Sequence, residues 1–167
     1  APPQVAAVAG RQAAMVARGQ RFAGKSFGEQ KKNTNLVAAK SNGMKQKDGF
    51  NGEQVIVLPQ MAIDIESADP LASSLYITDI GYYPKAAGHY RERTHPISQY
   101  VLIYCVEGAG WYCVGGERHD VGADQYVILP AGKPHTYAAD EQEPWTIYWV
   151  HFTGAHAAIY AEGALRP

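Results

Sequence analysis

Residues 125–137 read QYVILPAGKPHTY, and the rest of the chain is arranged around them. Tyr126, Val127, Ile128 and Leu129 are a short run of β-formers, the pattern of a buried strand. Pro130 ends the run, because proline has no N–H to give to a sheet ladder. Ala131, Gly132, Lys133 and Pro134 make a turn in which Gly132 is free to take a positive φ. The chain then re-enters a strand at His135, Thr136 and Tyr137.

The same alternation of short strands and turns extends in both directions. Upstream, QYVLIYCV at residues 99–106 is a strongly apolar strand, and residues 75–80 are another, leading into Gly81-Tyr82-Tyr83-Pro84. Glu107-Gly108-Ala109-Gly110 turns the chain into residues 111–114. Gly115-Gly116 is a two-residue hairpin signal, since such a turn needs two positive φ angles. Residues 117–121 return, and Gly122-Ala123-Asp124 turns again into the opening strand. Downstream, residues 138–143 are a polar loop, WTIYWVHF at 145–152 is the last strand, and a helix begins near His156. Nearer the N-terminus, QVIVL at 54–58 is a strand or arm ended by Pro59, and residues 62–67 are a helical turn before Pro70. Short strands at spacings of about 8–12 residues predict an all-β barrel or sandwich, double-sheet jelly rolls among them.

At 167 residues the chain is one domain with some excess, long enough to bury a core. Its eleven Tyr and three Trp all lie beyond residue 75, where they suit both sheet packing and ligand pockets. Residues 1–43 hold seven Lys/Arg against Glu29 alone, whereas residues 44–167 hold eight Lys/Arg against fifteen acids. The acidic part is a poor nucleic-acid binder by itself, because phosphate neutralisation needs clustered cations. The basic part reads as a poorly ordered, solvated segment with a weak helix at 12–18. Composition changes at Met44, the expected start of the domain and a candidate translation start. Cys105 and Cys113 fit two reduced thiols in a cytosolic sheet rather than a disulfide framework or a metal pair. No run approaches the roughly twenty apolar residues of a membrane span, and APPQVAAVAG is too short and too weakly apolar for a signal peptide. A cytoplasmic protein is expected.

A strand ending in P-x-G-x-x-H resembles the second sequence motif of the cupin β-barrels, in which the histidine points into the barrel. That motif has a glycine six residues before the proline; this sequence has Asp124, which tolerates left-handed backbone. The resemblance implies a jelly-roll, double-stranded β-barrel. Metal-dependent cupins take most of their ligands from an H-x-H motif followed by Glu. This sequence has no H-x-H, and residues 101–111 offer only Glu107. His135 alone does not hold a divalent ion, so neither metal nor cofactor is expected. Ser73, Ser74 and Ser98 stand in no G-x-S-x-G turn, and no Gly-rich loop follows a strand and opens a helix. No catalytic residue is expected.

What remains is an interior wall of His89, Arg91, Arg93, His135, Tyr137, Trp145, Trp149 and His151. Sugars suit such a wall, stacking their C–H faces on Trp or Tyr and bonding their hydroxyls to Arg and His. Trp145 and Trp149, four residues apart, share one face of a strand, which serves equally as core. His135 reads equally as a satisfied buried histidine. Arg93 is the most diagnostic, because an arginine inside a barrel needs a carboxylate of the protein or a ligand.

Together these residues resemble the N-terminal effector-binding domain of the AraC family of transcription regulators. The pattern runs from Arg93 to the Tyr100-led strand, through Gly108-Ala109-Gly110 and PAGKPHTY, to the W-x-x-x-W-V-x-F of Trp145, Trp149, Val150 and Phe152. From the arabinose regulator that names the family, the resemblance implies pocket roles for Arg93 (sugar hydroxyls), Tyr137 (a polar contact) and Trp149 (stacking on the sugar). The pocket histidine falls here on Ile147, so the hydrogen-bonding set differs, with His89 or His151 as candidate replacements. An arm folding over the ligand would be residues 49–58. The resemblance also implies a C-terminal DNA-binding domain of two helix-turn-helix motifs, expected beyond this chain, and leaves a homodimer open. The expected organisation is a basic segment at 1–43, an arm and lead-in at 44–74, the barrel at 75–155, and the start of a helix at 156–167. The expected function is a non-enzymatic sensor of a small molecule, a sugar by preference. Its rivals are a metal-dependent cupin enzyme (a dioxygenase or sugar isomerase) and a dimerisation module whose barrel is packed shut.

Overall fold

The computed structural model describes residues 45–164, so the reading of residues 1–43 lies outside the described residues. In chain order come β1 (Gln54–Val57), α1 (Gln60–Ala68), a 3-10 turn (Ala72–Ser74), β2 (Tyr76–Tyr83) and β3 (Tyr90–Arg93). They are followed by β4 (Tyr100–Glu107), β5 (Ala109–Val114), β6 (Glu117–Gly122), β7 (Tyr126–Leu129), β8 (His135–Ala139), β9 (Thr146–Thr153) and α2 (Ala157–Ala164). The strands form two antiparallel sheets, ordered β1-β2-β9-β4-β7 and β3-β8-β5-β6. This is the all-β, cupin-type jelly roll that the sequence suggests, with a helix at its C-terminal side.

The turns form where the residues allow them. Gly115 and Gly116 both take positive φ, 63° and 87°, and close the β5–β6 hairpin. Asp124, standing where the cupin motif has glycine, is left-handed at φ 62°. Its carboxylate accepts a hydrogen bond from the Tyr104 hydroxyl at 3.1 Å.

Two apolar layers flank the five-stranded sheet. Between the sheets lie Tyr83, Val101, Ile103, Cys105, Val121, Val127, Leu129, Tyr137, Trp145 and Ile147. On the other face, Val150 and Phe152 of β9 pack with Leu75, Ile77, Ile80, Tyr100 and Leu102 beneath Ala157 and Ala161 of α2. Both faces of β4 are thus covered, which is why its sequence is a continuous apolar run rather than an alternating one. Cys105 and Cys113 are free thiols in different sheets. Burial pushes the Cys105 thiol up.

The strand β3 is absent from the sequence-based reading. Its residues, YRER, are charged, and charged residues are depleted from strands. It forms because β8 offers an antiparallel partner, in the register Arg91↔Tyr137 and Arg93↔His135. The helical turn expected at 62–67 is a full helix, α1, with Pro59 at its N-cap. No helix among the described residues is long and apolar enough to cross a membrane.

Candidate functional site

Odd-numbered positions of β9 and of β3 face the space between the sheets. Arg91 and Arg93 reach it from β3, Tyr137 from β8, and Ile147, Trp149 and His151 from β9. Tyr83, His89, Ile103 and Lys47 complete the lining of one cavity of about 30 Å³. That is room for a single water, whereas small-molecule pockets run to about 300 Å³ or more. Of the residues expected at the site, Arg93, Tyr137, Trp149, His89 and His151 come together here. Ile147, at the place where the resemblance puts a histidine, is an apolar part of the same wall.

His135 and Trp145 stand apart from the lining. His135 lies in register beside Arg93, buried and stacked on Tyr137 with ring centroids 6.1 Å apart. Its Nδ1–H donates to the Lys133 carbonyl at 3.0 Å, which leaves Nε2 as a lone-pair acceptor. Trp145 is fully buried, and its indole lies against Gly110, where a Cβ would come within 2.0 Å of the ring. Its indole N–H donates to His89 Nδ1 at 3.1 Å. Trp145 therefore belongs to the core, because its one polar atom already has a partner inside the protein.

That bond also sets the state of His89. With Nδ1 accepting, the ring is neutral and carries its proton on Nε2. Burial and the nearby Arg91 charge push its pKa down to about 4. Phe50, Tyr83, Tyr137 and Trp145 surround the ring, with centroids 5.3 to 5.9 Å away. Burial likewise lowers His135. His151 Nδ1 lies 3.3 Å from Asp79 Oδ2, which also accepts from the Thr78 hydroxyl at 2.6 Å. The hydrogen bond from His151, ahead of that from Thr78, holds the Asp79 carboxyl below the usual carboxylate range. Among the described residues no group of three His, Cys, Asp or Glu is placed to hold a metal.

Three buried polar atoms in this region lack a hydrogen-bond partner: Arg93 Nε, His135 Nε2 and Trp149 Nε1. Trp149 lies flat over Gly81, where a Cβ would stand 2.5 Å from the indole. Gly81 thus provides the space that lets the ring lie along the cavity wall.

The chain before β1 packs beside the cavity, with Lys47 in its lining. Gln46 bridges to His89 in parallel, its N–H donating to Gly88 and its carbonyl accepting from Tyr90, both at 2.9 Å. Phe50 is buried against Tyr83, ring centroids 4.9 Å apart, and Glu53 accepts from the N–H of Gly49 and Phe50 at 2.7 and 2.9 Å. Beside this segment runs an open groove of about 510 Å³, walled by Phe50, Tyr82, Pro84, Glu107 and Thr146 among others. Phe50 falls within the arm that the resemblance implies at 49–58, whereas the sequence carries no signal for Lys47, which meets lining residues more than thirty positions away.

Residues 79–166 match the family model described as an AraC-like ligand binding domain. The chain is 36% identical over 119 residues to the MmsAB operon regulatory protein of Pseudomonas aeruginosa, covering 65% of this chain and 38% of that protein. It is 36% identical over 55 residues to the raffinose operon transcriptional regulatory protein RafR of Pediococcus pentosaceus, covering 32% of this chain and 20% of that one. The chain spans well under half the length of these curated relatives. A solved structure, a Cupin 2 conserved barrel domain protein from Salinispora arenicola, is similar at 18% identity and TM-score 0.42, over 78% of this chain and 99% of that one. With the matched segment taking in more than half of the 167 residues, and the barrel, the glycine turns and the W-x-x-x-W-V-x-F strand in place, the chain belongs to the AraC-like ligand binding domain family.

Proposed function

We propose that this chain is the effector-sensing part of an AraC-type transcription regulator. It binds a sugar or similar small polar molecule between its sheets, without a metal, and performs no chemistry on it. The observation that carries this reading is the trio of buried, unpartnered atoms, Arg93 Nε, His135 Nε2 and Trp149 Nε1. A buried polar group left without a partner costs about 1–3 kcal/mol, so Arg93 Nε and Trp149 Nε1 in the lining of one cavity, with His135 Nε2 on the residue paired to Arg93, support a place where a ligand's polar atoms would bind. The relatives' names, two operon regulators, support a regulatory rather than an enzymatic role. In this reading residues 44–74 are the arm and lead-in, 75–155 the barrel, and 156–167 the start of a helix leading towards a DNA-binding domain. In this reading the protein works in the cytoplasm.

Since the cavity holds about 30 Å³, a sugar enters only when the lining rearranges, and in this reading the segment around Lys47, bridged at Gln46 to His89, is the part that moves. Binding then shifts a two-state equilibrium of that segment, which is how occupancy would reach the DNA-binding part. The small volume also favours a second reading, a dimerisation module with its barrel packed shut.

A thermal-shift screen against monosaccharides, oligosaccharides and sugar acids, with and without divalent metals, separates these readings. A ligand at a hundred times its Kd stabilises the fold by about 2.7 kcal/mol. A rise with an organic ligand and no metal is expected, and Arg93→Ala is expected to abolish it. A rise with metal alone would point to the enzyme, and none at all to the packed barrel.

A further inference from the structure

The cavity lining carries positive charge with no ion pair to it among the described residues, although Asp79, Asp48 and Glu53 stand near enough to act on groups of the lining. Arg91 and Arg93 both face the cavity from β3, and Lys47 joins them from the segment before β1. The ion pairs among the described residues are Arg118–Asp120, His119–Glu117 and His151–Asp79, none of which involves these three cations. Asp79, the carboxylate that Arg93 senses, is already engaged by His151 and Thr78. Residues 44–167 hold fifteen acids against eight Lys/Arg, so the lining opposes the charge of its own domain. Two guanidiniums two residues apart on one strand face repel each other, and although both side chains are only half-buried, Arg93 Nε is buried without a partner and calls for an acceptor.

Resting on the effector-sensing reading, we infer that the effector is a small organic acid whose carboxylate is taken by Arg91 and Arg93. The planar guanidinium fork matches a carboxylate in geometry as well as charge. Trp149 Nε1–H in the lining offers one more donor, whereas His135 Nε2, on the residue paired to Arg93 and outside the present lining, is an unpartnered acceptor that a hydroxyl bound deeper than the present cavity would meet. Two kinds of donor and one acceptor describe a hydroxy acid, sugar acids included. A neutral sugar would satisfy the hydrogen bonds and leave the charges unanswered.

The test is a set of melting curves of the 167-residue chain with matched probes: gluconate against glucose, glycerate against glycerol, and glucose 6-phosphate as the phosphate arm. An acid is expected to raise Tm by about 5–10 °C at a hundredfold excess over its Kd, with no response to its neutral partner. The rise should shrink with added salt and vanish in Arg91→Gln and Arg93→Gln. Without ligand, both variants are expected to melt at or above the temperature of the unsubstituted chain, because each removes an unpaired cation. A neutral sugar as effective as its acid would overturn the inference while leaving the sensor reading standing. A response confined to the phosphate would overturn the carboxylate. A fall of several degrees in both ligand-free variants would assign the arginines to the fold instead. No response to any probe would count against the inference and the sensor reading together.

Discussion

Trp145 and Trp149 enter the barrel from the same side of one chain segment, and their neighbourhoods differ in kind. Around Trp145 the indole's one polar atom is answered: its N–H meets His89, the His89 ring is walled by four aromatic rings, and the indole fills the space above Gly110. Around Trp149 the same kinds of group are left open. The indole N–H and Arg93 Nε face no partner, and neither Arg91 nor Arg93 forms an ion pair among the described residues. What separates core from cavity wall is therefore the state of the polar atoms, since each is built around a Trp of the same segment. Substitutions on the two sides should fail in different ways.

The largest effect belongs to the answered side. Trp145→Ala should cost about 3–5 kcal/mol of stability, read as a lower midpoint in urea unfolding. Next comes pH. His89 has its pKa lowered from 6.5 to about 4, so the folded state resists protonation that the unfolded chain accepts. Its contribution is complete above pH 6.5 and is lost as pH falls towards 4, about 3 kcal/mol in all at 1.36 kcal/mol per unit. His135, shifted the same way, adds to the loss. His89→Gln should flatten most of this slope, and equal slopes in the two proteins would break the comparison. Gly81→Ala pushes against the Trp149 ring and should cost about 1–3 kcal/mol while weakening effector binding. The smallest effect on stability is that of Arg93→Ala, about 0.5 kcal/mol or less by urea unfolding, together with loss of the effector response. A large loss of stability there would place Arg93 on the answered side.

Much of the fold was legible because its punctuation is chemical. Pro130, the Gly115-Gly116 pair and Asp124 each limit the backbone in a way a single sequence displays. The apolar run of β4 was legible as a strand, though not as one covered on both faces, since that depends on where α2 lands. The strand β3 was hidden because its inward positions are arginines, and a periodicity read from apolar residues is blind to a polar cavity. The site was legible as a set of residue types and not as a sorting among them. Trp145 and Trp149 have the same parity, and only the position of His89, 56 residues before Trp145, decides which indole is answered. Lys47 was out of reach for the same reason, because its place comes from the path of the chain before β1, while Phe50 fell within the expected arm at 49–58 without any sign of its packing on Tyr83.

One strand has no spare side. Ile147, Trp149 and His151 of β9 line the cavity, while Val150 and Phe152 seat α2. Thr146 is buried and bonds Glu107 and the Lys85 backbone, and its neighbour Tyr148 is the one large side chain of the strand left mostly exposed, resting on Tyr82. In a library of all single substitutions β9 should be the least forgiving stretch of the barrel, with Tyr148 its one tolerant large position. A change chosen to refit the cavity for another effector would also disturb the bed on which the helix lies, so new specificity and new signalling would have to be acquired together.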